Sequence, residues 1–170
     1  MMKEVIDEKE GRRAFPPFPL ALITIPGNPP NIITAALIHV FSFSPFQIGI
    51  GIAPSRYSFQ LLKSAEDFVV NLPSREVLDQ VIFCGNNSGR DVDKFEKTRL
   101  TAVPSREGDA PLIAECPVNF ECHIIQNIET GDRHWFIGEV KTIHQDVNFN
   151  RENLLCYWAG EFRLLGTLLR

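Results

Sequence analysis

Two short polar segments carry the residues best suited to chemistry. Ser55-Arg56-Tyr57-Ser58 opens a stretch with helical spacing, so Arg56 and Ser58 stand on its first turn. The free N–H groups and the positive dipole end of a helix start favour an anion. A guanidinium adds a bidentate donor and a hydroxyl one more, a set that suits a phosphate. The second segment runs from Cys84 to Phe95 as CGNNSGRDVDKF, where Ser88 and Gly89 precede a helix and Lys94 lies on its first turn. It offers a second set of donors to the same anion. Both segments also have plainer readings. Ser-Arg begins many surface helices. Taken alone, residues 84–95 read first as a capped loop in which Gly85 ends one helix, Asp91 caps the next and Lys94 is solvated.

Other candidates are weaker. Asn31 and Thr34, in NPPNIIT, either contact the polar edge of a heterocycle or fix a turn. His39 sits in an apolar strand pattern and reads first as a hydrogen-bonded core residue. His134 and Trp135 follow a hairpin turn, where they line a cleft or cover the sheet. Asp79, Asp91 and Asp93 fall on helix surfaces and read as solvated. No Ser–His–Asp order, P-loop, HExxH or GxGxxG is present. Cys84, Cys116, Cys122 and Cys156 form no CxxC and no metal-ligand spacing with the histidines, so free thiols are expected, with redox chemistry at Cys84 as the alternative. No catalytic acid or base and no metal site is assigned.

Composition bounds what such a site can serve. The 170 residues fit one domain, and 44% hydrophobic with 22% charged residues is a globular balance. The net charge of −4 and the lack of a basic stripe argue against a nucleic-acid partner. No apolar run reaches the roughly 18 residues of a membrane helix. The opening MMKEVIDEKEGRR lacks a signal-peptide apolar region, which leads to the expectation of a cytoplasmic protein.

The elements that must position these residues are mostly strands. Residues 1–14 read as an extended or loosely attached arm and 15–170 as the domain. LALITI (20–25) is a β-rich run, and PGNPPN (26–31) has turn composition. Thr34–Ser44 reads as one strand, apolar on both faces. QIGIGIA (47–53) alternates strictly, with Ile48, Ile50 and Ile52 on one face and Gly49 and Gly51 on the other. That side-chain-free face invites close approach by another sheet or by a flat ligand. A helix follows, capped by Ser55, with Leu61, Leu62 and Ala65 as its buried stripe. FVVNL (68–72) is a strand, PSREVLDQVIFCG a helix capped by Ser74, and DVDKFEK (91–97) a short helix. Two long strands flank the turn ETGDR (129–133), and the aromatic YWAGEFRLLGTLL tail is expected to dock on the core. The sum is a β-barrel or sandwich with helical decoration.

The order of these pieces resembles the flavin reductase-like family, the FMN-binding split barrels that include flavoredoxin, over about residues 15–166. SGRDVDKF (88–95) followed by RLT (99–101) is similar to the family's SGRDxDKF run and the LT after it. NIITAA (31–36), RYSFQLLKSAEDFVVNLP (56–73), AECPVNFEC, GDRHWFIGEV and YWAGEFRLLG resemble its further blocks. The resemblance implies a mainly β fold with helical decoration, a six-stranded Greek-key split barrel binding FMN non-covalently, usually at a homodimer interface. It implies an oxidoreductase, with NAD(P)H as candidate electron donor and free flavin, a ferric complex or a protein as acceptor. A flavoredoxin-like electron carrier without NAD(P)H activity is the alternative, and a non-flavin interaction barrel the third. Carried over by position, Asn31, Ile33, Thr34 and Ala35 lie along the isoalloxazine or ribityl chain. Ser42 to Pro45, Ser44 included, pass near the ring. Arg56 and Ser58 hold the phosphate, and Ser88, Lys94 and Phe95 close the site. Three departures stand out: Leu37 where many relatives have tryptophan, Arg133 where many have histidine after Gly-Asp, and Pro45-Phe46 in place of Pro-Pro.

Overall fold

The computed structural model describes residues 3–166 and 168. The chain begins with a short helix, α1 (Glu8–Arg13), inside the segment expected as a loose arm. The Asp7 carboxylate caps it, accepting from Glu10 N at 2.8 Å, and acids in its first turn and Arg12 and Arg13 in its last complement the dipole. Trp158 Nε1 donates to Arg12 O at 2.7 Å and ties the arm down.

There follow β1 (Phe18–Pro19), β2 (Ala21–Ile25), β3 (Asn31–Ala35), β4 (Ile38–Phe43) and β5 (Phe46–Ile52). Next come α2 (Tyr57–Ser64), β6 (Asp67–Leu72), α3 (Leu78–Asn86), α4 (Lys94–Thr98), β7 (Ala102–Val103) and β8 (Leu112–Ile113). The long hairpin β9 (Val118–Thr130) and β10 (Arg133–Gln145) precedes the small hairpin β11 (Leu155–Trp158) and β12 (Glu161–Leu164). Seven of these strands form one sheet in the order β3-β2-β6-β9-β10-β5-β4. Every adjacent pair in it is antiparallel.

That order explains why the run 34–44 is two strands rather than one. β3 and β4 stand at opposite edges of the sheet, yet only Ala36 and Leu37 lie between them. A flat sheet would hold the edges about 29 Å apart, six strand spacings of roughly 4.8 Å. Two linking residues reach only about 10 Å. The sheet must therefore curl into a barrel; Leu37, beside the break, extends the β4–β5 pairing, its O accepting from Gly51 N at 2.7 Å. The division gives the main sheet seven strands where the resemblance implies six. The architecture is the split barrel.

β2 is buried on both faces. Ala21, Ile23 and Ile25 join Ile50, Phe68 and Phe136 in the barrel core. Leu20 and Leu22 join Ile32, Val81 and Cys84 in a second core beneath α3. The glycine face of β5 is covered by the chain itself. Phe41 lies over Gly49, where a Cβ would overlap its ring, and Leu37 and Trp135 cover Gly51.

Helix ends differ in detail from expectation. α2 takes Arg56 rather than Ser55 at its N-cap, and Leu62 is its most buried stripe residue, with Leu61 and Ala65 partly buried. A 3-10 turn (Arg75–Val77) precedes α3, which runs through Gly85 to Asn86. α4 is capped by Asp93, not Asp91, with the carboxylate accepting from Glu96 N at 3.1 Å. Tyr157 and Phe162 of the tail hairpin pack on the second core. The rest of the expected tail includes Thr167 and Leu169, which lie outside the described residues, as do Met1 and Met2 of the arm.

Candidate functional site

The two polar segments meet. Arg56, Tyr57 and Ser58 from the start of α2 face Ser88, Gly89 and Lys94 across a cleft of about 160 Å³, with Ile33 on its wall. No aspartate or glutamate lines it. Among the described residues, neither Arg56 nor Lys94 has a carboxylate partner.

β3 organises the cleft. Asn31 is buried, and its Nδ2 donates to Ser58 Oγ at 2.8 Å. Ser88 Oγ accepts from Arg90 N at 3.2 Å. Each hydroxyl thus receives a hydrogen bond and keeps its own proton to donate. Asn31 Oδ1 is buried with no partner among the described residues. It lies under the backbone of Gly89, where a Cβ would overlap it. The Ser58 and Ser88 hydroxyls, by contrast, line the cleft with unspent donors that suit an acceptor ligand. Three residues on from Asn31, β3 presents a side chain to the other face. Thr34 Oγ1 donates to Val81 O at 2.6 Å and binds the strand to α3.

Lys94 is not the solvated lysine of the plainer reading. It is 3% exposed, and its Nζ donates to Ile32 O at 2.6 Å and Cys84 O at 2.7 Å. Burial lowers its pKa to about 8; the Cys84 thiol opposes this and the Arg56 charge adds to it. One of its three N–H donors is left over beside the cleft. A phosphate there fits this donor set: guanidinium, ammonium and two hydroxyls, with no competing carboxylate.

A second groove of about 280 Å³ shares Arg56, Gly85 and Asn86 with the first. Thr34, Ala36, Leu20, Tyr157 and Phe162 line it, and the rings of the last two pack at a tilt, 4.8 Å between centroids. The two spaces together fall within the roughly 300–1,000 Å³ of ligand sites. Tyr57, Asn86, Tyr157 and Phe162 were not singled out as site residues from the sequence. The position of Tyr57 between Arg56 and Ser58 was the available signal for it.

Four expected site residues stand elsewhere. Ala35 is buried in the barrel core, and Phe95 packs on the second core. Ser42 and Ser44 line neither cleft nor groove; Ser42 Oγ accepts from Ser44 N at 3.2 Å within the β4–β5 turn. His39 is exposed rather than a core residue, because β4 is an edge strand. His134 packs edge-on against Phe59 at 4.7 Å between centroids and faces Asn127 Oδ1 at 3.1 Å. All four cysteines are buried free thiols, and burial raises the pKa of Cys84 to about 11. Among the described residues, no His/Cys/Asp/Glu group could hold a metal ion, and no helix is long and apolar enough to cross a membrane.

The family model of the flavin reductase like domain matches residues 13–166, nearly the whole chain. The chain belongs to the flavin reductase-like family. Over 166 residues it is 30% identical to an NADH-dependent FAD reductase of Streptomyces globisporus, covering 94% of this chain and 88% of that one. An uncharacterized protein of Archaeoglobus fulgidus is 41% identical over 111 residues, 65% of this chain and 63% of that protein. The match thus spans less than two-thirds of that relative's length. Among solved structures, the flavoredoxin of Desulfovibrio vulgaris (Miyazaki F) superposes with a TM-score of 0.86 at 26% identity, covering 99% of this chain and 96% of that one. The family is one of flavin-binding proteins, which accords with an anion cleft that continues into an aromatic-lined groove.

Proposed function

We propose that the chain binds FMN and serves as an oxidoreductase that uses NAD(P)H to reduce free flavin, a ferric complex or a protein acceptor. One observation carries this reading: a guanidinium, a buried ammonium and two hydroxyls converge on a cleft without a carboxylate. Arg56, Ser58, Ser88 and Lys94 would hold the phosphate, and charge-assisted hydrogen bonds of this kind contribute about 1.5–3 kcal/mol each. Thr34, Ala36, Tyr157 and Phe162 would border the ring in the adjoining groove. Bound flavin accepts hydride or single electrons at its own ring, so the chain need only bind, orient and tune it. Arg56, shared by both spaces, also places a positive charge between phosphate and ring.

A second reading, an electron carrier without NAD(P)H activity, is favoured by the similarity to flavoredoxin. The partner in either case is a second copy of this chain on the β4 edge. Val40, Phe41 and Phe43 there are 37%, 45% and 87% exposed. An unpaired apolar edge strand is a surface that proteins cover. Ultracentrifugation of the wild type and of a Phe43→Glu variant tests this: a dimer that dissociates in the variant supports it, and a wild-type monomer overturns it.

The deciding experiment is the visible spectrum of the purified protein, with FMN added and then NADH or NADPH under nitrogen. Bleaching by either nucleotide identifies a reductase. Bleaching only by a reduced ferredoxin identifies the carrier. A colourless protein that takes up no FMN overturns both.

A further inference from the structure

The rim of the anion cleft carries a third cation that the reading above leaves without a role. The Arg90 guanidinium lies over the Tyr57 ring, 5.4 Å from its centroid. Tyr57 itself lines the cleft. Arg90 is exposed and, among the described residues, has no carboxylate partner. Its backbone N–H donates to Ser88 Oγ, so it belongs to the turn that presents the Ser88 hydroxyl to the cleft. A guanidinium stacked on an aromatic face keeps its N–H donors free in its own plane. The chain has a net charge of −4, so a cleft with Arg56, Lys94 and Arg90 about it is not a by-product of a basic protein.

The shape of the site gives this cation its direction. Lys94, 3% exposed, stands at the buried part of the cleft lining, and Asn31, 5% exposed, packs behind that lining against Ser58 and Gly89. The side toward the ring leads through Arg56 into the Tyr157–Phe162 groove. Tyr57 in the cleft lining and the exposed Arg90 over its ring would stand beside a further substituent that leaves a bound phosphate toward solvent. Resting on the flavin reading above, we propose that Arg90, set by its stack on Tyr57, contacts a second phosphate there. The site then takes the pyrophosphate-linked dinucleotide FAD as well as the mononucleotide FMN, and Arg90 with Tyr57 sets the preference between them.

The test is a pair of titrations, FMN and FAD, followed by flavin fluorescence at fixed ionic strength on the wild-type protein and on Arg90→Ala and Tyr57→Leu. Wild type should bind both flavins. Arg90→Ala should weaken FAD about tenfold or more, the range for a lost charge-assisted contact, and FMN less than about twofold. Tyr57→Leu should weaken FAD in the same sense by removing the platform. Arg90 is exposed, and an unchanged thermal midpoint in its variant confirms folding. The proposal is overturned if wild type binds FMN but not FAD, or if Arg90→Ala weakens both equally or neither. Failure to bind either flavin overturns the flavin reading itself, a separate result.

Discussion

Replacing Lys94 with methionine separates what its ammonium does for the fold from what it does for a bound anion. Burial disfavours the charged form, which the nearby Cys84 thiol opposes and Arg56 reinforces, and the pKa falls from 10.5 to about 8. That depression corresponds to roughly 3 kcal/mol against the charge. Methionine removes this cost at similar volume but strips Ile32 O and Cys84 O of their donor, a loss of about 1–3 kcal/mol for each carbonyl. The two effects oppose, so the ligand-free variant should stay within about 3 kcal/mol of wild type. At about 2–4 °C per kcal/mol, its thermal midpoint falls by about 12 °C at most. FMN affinity should drop by about 1.5–3 kcal/mol, or roughly 10–150-fold. The pH profile adds an independent readout. Below pH 8 the lysine is charged both folded and unfolded. From there to 10.5 the unfolded chain binds the extra proton, so ligand-free stability rises with pH through that window. A bound phosphate favours the charged form. Wild-type FMN affinity should therefore fall as pH rises above about 8, and the methionine variant should lack this fall. A variant that unfolds easily yet binds FMN as tightly as wild type, with the same pH profile, would refute the argument and leave Lys94 a purely structural tie.

Arg56→Ala should weaken FMN by about 1.5–3 kcal/mol in the same titration with little change in thermal midpoint, because the side chain is exposed. In Gly89→Ala the new methyl overlaps Asn31 Oδ1, displaces the amide from Ser58 Oγ and should weaken FMN about tenfold, with circular dichroism unchanged. Burial pushes the Glu121 carboxyl up, but hydrogen bonds from Arg106 N, His144 and Glu107 N outweigh it and hold the pKa below the ordinary value. Its stabilising effect is then present at neutral pH and lost as pH falls through the lowered value. Glu121→Gln should be less stable than wild type by about 1–3 kcal/mol at pH 7, with the gap closing in acid when urea unfolding is followed against pH. The four buried thiols should react slowly with a thiol reagent in the native state and rapidly in urea.

Local pattern made much of this molecule legible. The alternation of β5 gave its inward isoleucines and its glycine face, and both polar segments were found by residue type and spacing. Three features needed the tertiary structure. The division of the run 34–44 has no turn residue to announce it; only closure of a seven-stranded barrel forces the break at Ala36 and Leu37. The environment of Lys94 is invisible to periodicity because main-chain carbonyls hold it, and carbonyls carry no residue identity. The stack of Arg90 on Tyr57 joins two segments 33 positions apart. By contrast, α1 had a readable signal, an aspartate cap with acids first and arginines last.

These misses share a cause that bears on function. β3 supplies Ile32 to a core, the Asn31 amide to the Ser58 hydroxyl of the cleft, Thr34 to α3, and the Ile32 carbonyl to Lys94. Packing, strand pairing and ligand chemistry therefore meet in five residues, Asn31–Ala35. A change to any of them acts on both stability and binding, and the two must be measured together to be told apart. Residues on the rim escape that coupling. Arg56 and Arg90 are exposed and make no ion pair among the described residues, so their substitution should alter affinity with the fold left intact. Within one cleft, then, the inner donors are fixed by the barrel, while the outer guanidiniums are the positions at which the choice of ligand can change without cost to the core.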